Sequence, residues 1–165
     1  MEQSTKTGVL REIFTTQFRS LMASINDTRL SLLEVKSEVI KGSSHDELVI
    51  TVFHPFDHNY NVVVAISEEI IIFFGDFHNH YDNIPDERPL RLVVEDAIDQ
   101  IRTILTADRI TMIKLLKGKG IFRKMLEVEH QEYKQVLENY SVSFRGLLFF
   151  IPTRKVVTTT TFSTH

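Results

Sequence analysis

An α+β fold is what the sequence predicts: a single antiparallel sheet with two main helices packed on one face. The sheet is expected as a meander of about four strands, then a hairpin and C-terminal strands. Two observations carry this. Apolar residues recur every three or four positions in two segments, and at every second position or continuously in the others. The connections between successive apolar runs are too short for a crossover helix, so neighbouring strands should run antiparallel. No linker or repeat interrupts the pattern, and residues 1–165 read as a single domain.

The first helix rests on Val9, Leu10, Ile13, Phe14, Phe18, Leu21, Met22 and Ile25, with Arg11, Glu12, Arg19 and Ser20 between them. Such a stripe serves first to pack against the sheet; its sharper use is as a partner-binding surface or the seam of a homodimer. Asn26-Asp27 ends the pattern. Strands are then predicted over Leu30–Ile40, Leu48–His54, Tyr60–Ser67 and Ile70–Phe77. Gly42-Ser43-Ser44, Pro55 to Asn59 and Ser67-Glu68-Glu69 supply the turns. The third and fourth of these strands are apolar on both faces, which places them centrally beneath the helices. Pro89 precedes the second helix, whose stripe is Val94, Ala97, Ile98, Ile101, Ile104 and Leu105. A hairpin follows, from Ile110–Leu116 through Lys117-Gly118-Lys119-Gly120 to Ile121–Val128. Two last strands, Ser141–Ile151 and Arg154–Phe162, part at Pro152-Thr153, and the run Val156–Thr161 is wholly β-branched.

Composition narrows the chemistry. Hydrophobic residues are 42% and charged residues 25% of the chain, enough for a core and too little charge for a disordered tail. With no cysteine, disulfides, zinc-thiolate sites and thiol catalysis are all excluded. The longest apolar runs, such as Val62–Ile66 and Leu147–Ile151, are far shorter than the roughly 20 residues a membrane helix needs. No apolar stretch follows the first residues, so a cytoplasmic protein with no membrane contact is expected.

Chemistry concentrates in a histidine-rich corner. The fourth strand ends Gly75-Asp76-Phe77-His78-Asn79-His80-Tyr81-Asp82, and an upstream turn holds His54-Pro55-Phe56-Asp57-His58. If the strand runs on, Asp76, His78, His80 and Asp82 share one side while Phe77, Asn79 and Tyr81 share the other. A meander can also bring both corners to one end of the sheet. Imidazole with carboxylate suits a divalent metal such as Zn, so Asp76, His78 and His80, joined by His54 or His58, would make a metal-dependent hydrolase. A His against an Asp also serves as a general acid or base. The bland alternative is that these side chains cap turns and line the strand end.

Charge is unevenly spread although the net charge is only −3. Arg109, Lys114, Lys117, Lys119, Arg123 and Lys124 fall in one stretch with no acidic residue. Between Asp76 and Asp99 the acidic residues Asp76, Asp82, Asp86, Glu87, Glu95, Asp96 and Asp99 outnumber Arg88 and Arg91. A basic hairpin over 109–124 can grip a phosphate backbone, but lysines also keep an edge hairpin from aggregating, and nucleic acid is not the expected partner. Neither a phosphate loop nor a hydrolase elbow is present.

The stretch Asn61–Asp82, an apolar strand pair ending in Phe74-Gly75-Asp76-Phe77-His78-Asn79-His80-Tyr81-Asp82, resembles a motif of small uncharacterised bacterial α+β proteins. In that family an apolar strand ends in aromatic-His-x-His-aromatic, followed by a helix similar to Val93–Ala107 and a strand similar to Arg109–Lys117. The likeness spans about residues 48 to 124, with Phe77 and Asn79 standing where Trp and Thr are the family's residues. These proteins resemble the immunity partners of toxins. With the compact α+β fold, the lack of a catalytic signature and the dipolar surface, the resemblance leads to the expectation of a non-enzymatic protein of immunity or antitoxin type, without a cofactor, that occludes a protein partner. The candidate contacts are His78, His80 and Tyr81 with the acidic segment around Asp82, Asp86 and Glu87.

Overall fold

A computed structural model of the chain describes residues 2–28, 33–42, 46–82, 88–117, 120–140 and 153–161. The N-terminal stripe forms α1 (Glu2–Thr28), longer at both ends than its apolar pattern. Leu10, Phe14, Phe18, Leu21, Met22 and Ile25 are buried along one side, while Val9 is 46% exposed and falls outside the seam. The second stripe forms α2 (Leu90–Leu105) and buries Val93, Val94, Ala97, Ile98, Ile101, Ile104 and Leu105. The Pro89 carbonyl accepts from the Leu92 and Val93 amides, so the proline stands where a helix can begin without its missing N–H being felt. No helix among the described residues is long and apolar enough to cross a membrane.

The strands are β1 (Val35–Ile40), β2 (Glu47–Val52), β3 (Val62–Ile66), β4 (Ile70–Phe74), β5 (Phe77–Tyr81), β6 (Arg109–Lys117), β7 (Gly120–Glu129), β8 (Lys134–Tyr140) and β9 (Thr153–Thr160). The α+β class and the antiparallel pairing are as predicted; the single sheet is not. β1 to β5 form one sheet in sequence order, and β8-β7-β6-β9 form a second. The reason lies in β6, the strand that follows β5 in the chain: it pairs with β7 on one side and β9 on the other, so neither of its own sides is left for β5. The chain divides into two compact units, one ending at Leu105 and the next beginning at Thr106.

In the first unit, α1 packs on α2 and β3, and α2 packs on β4 and β5. The side chains beneath these helices, Val62, Val64, Ile66, Ile70, Ile72, Phe74 and Phe77, are all fully buried. Each such burial contributes about 1.5–3 kcal/mol, which makes this face the core of the unit.

Two elements differ from expectation. The run Ile70–Phe77 is not one strand: Gly75-Asp76 turns the chain so that Phe74 faces Phe77. Gly75 has φ 55°, the left-handed value that the first loop position of a tight hairpin requires. β8 carries no strong period-two signal, because Val136 is exposed and Leu137 only half-buried. Cross-strand ion pairs hold it instead, Lys134 with Glu127 and Glu129, and Glu138 with Arg123. The strand predicted over Ser141–Ile151 lies outside the described residues, as does the start of the one predicted from Leu30.

Candidate functional site

Register decides where the histidines stand. Val52 pairs with Val62, Val62 with Phe74, and Phe74 with Phe77. The loop after Val52 and the Gly75-Asp76 turn therefore lie at one end of the sheet, as a meander allows.

The first corner is a closed turn. His54 is 3% exposed, and its Nδ1 accepts from the amides of Phe56 at 3.2 Å and Asp57 at 3.0 Å. An Nδ1 that accepts twice is unprotonated and already occupied, so it holds no metal. The His54 amide donates to Asn61 Oδ1 at 2.9 Å, closing the loop across its base. Asp57 caps the 3₁₀ turn His58–Tyr60 by accepting from the Asn59 amide at 2.9 Å. His58 is exposed and meets Phe53 edge-on at 5.9 Å. Tyr60 bridges His54 and Phe74, with ring centroids at 6.1 and 5.7 Å. Phe74 belongs to the helix side of the sheet, and this corner leans on that side.

The second corner uses both faces of β5. His78 stands opposite Phe73 and His80 opposite Ile71, on the face away from the helices. The His78 ring lies 5.8 Å from Phe73 and 5.4 Å from His80. His80 Nδ1 meets Glu69 Oε2 at 2.9 Å, a pairing invisible to local spacing because it reaches back across the preceding hairpin. Phe77, Asn79 and Tyr81 turn the other way, as alternation predicts. Asn79 Nδ2 donates to Gln100 Oε1 at 2.8 Å, and the Tyr81 hydroxyl donates to the same oxygen. Gln100 is 5% exposed, and its Nε2 is buried without a hydrogen-bond partner. Burial pushes the Tyr81 phenol up to about 12, opposed by the Asn79 hydrogen bond and aided by the Asp96 charge. This trio was missed in the sequence, although Gln100 is a polar residue inside the apolar stripe of α2.

The residues proposed for a metal do not gather as one set, although His78 and His80 are neighbours. Asp76 sits in the turn rather than on a strand shared with His78 and His80, because the chain reverses there. Among the described residues no group of three or more His, Asp or Glu side chains could hold a metal ion. Of the candidate contact residues, His78 and His80 lie on the open face, Tyr81 on the helix side, and Asp82 is exposed just past β5. Asp86 and Glu87 lie outside the described residues.

The open face is itself a finding. Thr51, Val63, Ile71, Phe73 and His78 are only half-buried there, in contrast to the fully buried set on the helix side. Among the described residues of the basic stretch, Arg109 pairs with Glu129 and Arg123 with Glu138, so acidic residues of β7 and β8 interleave with it. Lys114 and Lys124 face each other across β6 and β7, while Gly118 and Lys119 lie outside the described residues. No protein-family model, curated protein or solved structure matches the chain.

Proposed function

We propose that the chain is a non-enzymatic, cytosolic binding protein of the toxin-immunity kind, acting by occluding a protein partner. The observation that carries this reading is the open face of the five-stranded sheet. Val63, Ile71 and Phe73 form an apolar strip there, rimmed by His78, His80 and Glu69. A half-exposed apolar centre with a polar rim is the surface composition of a protein contact. His54 is bound into its turn, and His80, held by Glu69, adds a polar group to the rim that a partner can meet.

The test uses the full chain as bait against proteins of its own cells. Wild type and Arg91→Glu, altered on an exposed helix position, should retain one partner in equal amounts and silence that partner's activity. Phe73→Lys should lose it while keeping the wild-type unfolding midpoint within a few degrees. Equal capture by all three proteins, or a captured partner that stays active, overturns the reading.

A further inference from the structure

The outer edge of β1 is written to pair with itself, and we infer that two copies of the chain join there into one continuous sheet. β1 is an edge strand, exposed at every position, and three large apolar residues stand out on it: Val35 at 40%, Val39 at 54% and Ile40 at 47% exposure. No other strand among the described residues exposes more than one such side chain. Edges are ordinarily blunted by lysine or proline. Here Lys36 is answered by Glu38 two residues on, and the two pair at 3.1 Å.

Hydrogen-bond parity shows which groups face outward. The Phe53 amide donates to the Glu34 carbonyl, in the same register that sets Val35 against Val52. Glu34 therefore bonds toward β2, and by alternation so do Lys36, Glu38 and Ile40. The N–H and C=O groups of Val35, Ser37 and Val39 point away from the sheet.

A two-fold antiparallel pairing centred on Ser37 uses those outward groups. It sets Ser37 against Ser37, Val35 against Val39 of the second copy, and Val39 against its Val35. Each of these is a hydrogen-bonded pair that exchanges two N–H···O bonds. Between them Lys36 falls opposite Glu38 of the second copy, twice by symmetry, at the closer spacing of a non-bonded pair. A slip of two residues in either direction keeps the parity but sets Lys36 against Lys36 or Glu38 against Glu38. Like charges directly opposite are destabilising, so the charge pattern selects one register of the three. An isologous C2 contact needs this self-complementarity, in which a residue i meeting j requires j to meet i.

Sedimentation equilibrium of the full chain, from about micromolar to about millimolar, tests the inference. The wild type should dimerise. Glu38→Lys places lysine against lysine at both symmetric positions and should raise the dimer dissociation constant roughly tenfold or more. Lys36→Glu should do the same with acidic pairs. Mixing these two monomeric variants should restore a one-to-one dimer, which a fold defect in either could not do. Ser37→Pro removes an amide that β2 does not use, and should give a monomer with unchanged circular dichroism. A wild type monomeric throughout, or a dimer indifferent to Glu38→Lys and Ser37→Pro, overturns the proposal.

Discussion

The two faces of the five-stranded sheet are built by the same strands, yet they have become different materials. Toward the helices stand Val64, Ile72, Phe74 and Phe77, each fully buried, with Asn79 and Tyr81 satisfied by Gln100. Toward the other side stand Val63, Ile71, Phe73 and His78, each half-buried, with His80 in solvent against Glu69. Hydrophobicity alone does not separate the two sets, since phenylalanine and β-branched residues occur in both. What separates them is that α1 and α2 both pack on one side. An apolar residue is core only if some element covers it.

The sharpest way to break the comparison is within one strand. Phe74→Ala should cost about 3–5 kcal/mol of unfolding free energy, because it empties a closed cavity. Phe73→Ala, one residue away, should cost about 1 kcal/mol, because water already reaches its site. Denaturant unfolding reads both, and equal losses would mean that the second face is as closed as the first. Gly75→Ala comes next, at about 1–2 kcal/mol, since a side chain at φ 55° is strained and this turn aims β5.

Tyr81→Phe should cost about 1 kcal/mol through the lost hydrogen bond to Gln100. It also carries a pH signature. Folding holds the phenol neutral to about 12, whereas in the unfolded chain it ionises near 10.0. The stabilisation is complete below the unfolded value and declines as pH rises from about 10 through 12. The Phe variant should lose that alkaline slope, and absorbance of the phenolate tracks it directly. Glu69→Gln, on the open face, should change stability by less than about 1 kcal/mol, as exposed ion pairs do.

The smallest effect lies in the second sheet. There the hydrogen bond from Arg109 holds the Glu129 carboxyl below its ordinary 4.5, with Lys134 assisting. A lowered carboxylate stabilises above its unfolded value and loses that contribution as pH falls below about 4.5. Glu129→Gln should flatten the acid limb of amide protection in β6 and β7 and leave neutral pH nearly unchanged, measured by hydrogen exchange.

Both helices were legible because their apolar spacing survives in the sequence whatever they pack on. β2 to β4 were legible for the same reason, through runs such as Val62–Ile66. The hairpin at Gly75-Asp76 was hidden, because Phe77 resumes the apolar run Ile70–Phe74 directly after the two turn residues. β8 was hidden by a different cause: its stabilising partners are charges across the hairpin on β7, which leave no apolar period in β8 itself. At the candidate site, the alternation that separates His78 and His80 from Asn79 and Tyr81 could be read directly. The engagement of His54 Nδ1 by two backbone amides could not, since it depends on how a loop closes.

By itself, then, the sequence determined the α+β class, the antiparallel pairing and which residues of β5 share a side. Those follow from local periodicity, and a side-chain period of two leaves no freedom. Tertiary structure alone decided that there are two sheets, and that among the described residues the candidate metal ligands never gather in a group of three. These are choices of partner among surfaces of similar chemistry, and they rest on register and chain reversal rather than on composition.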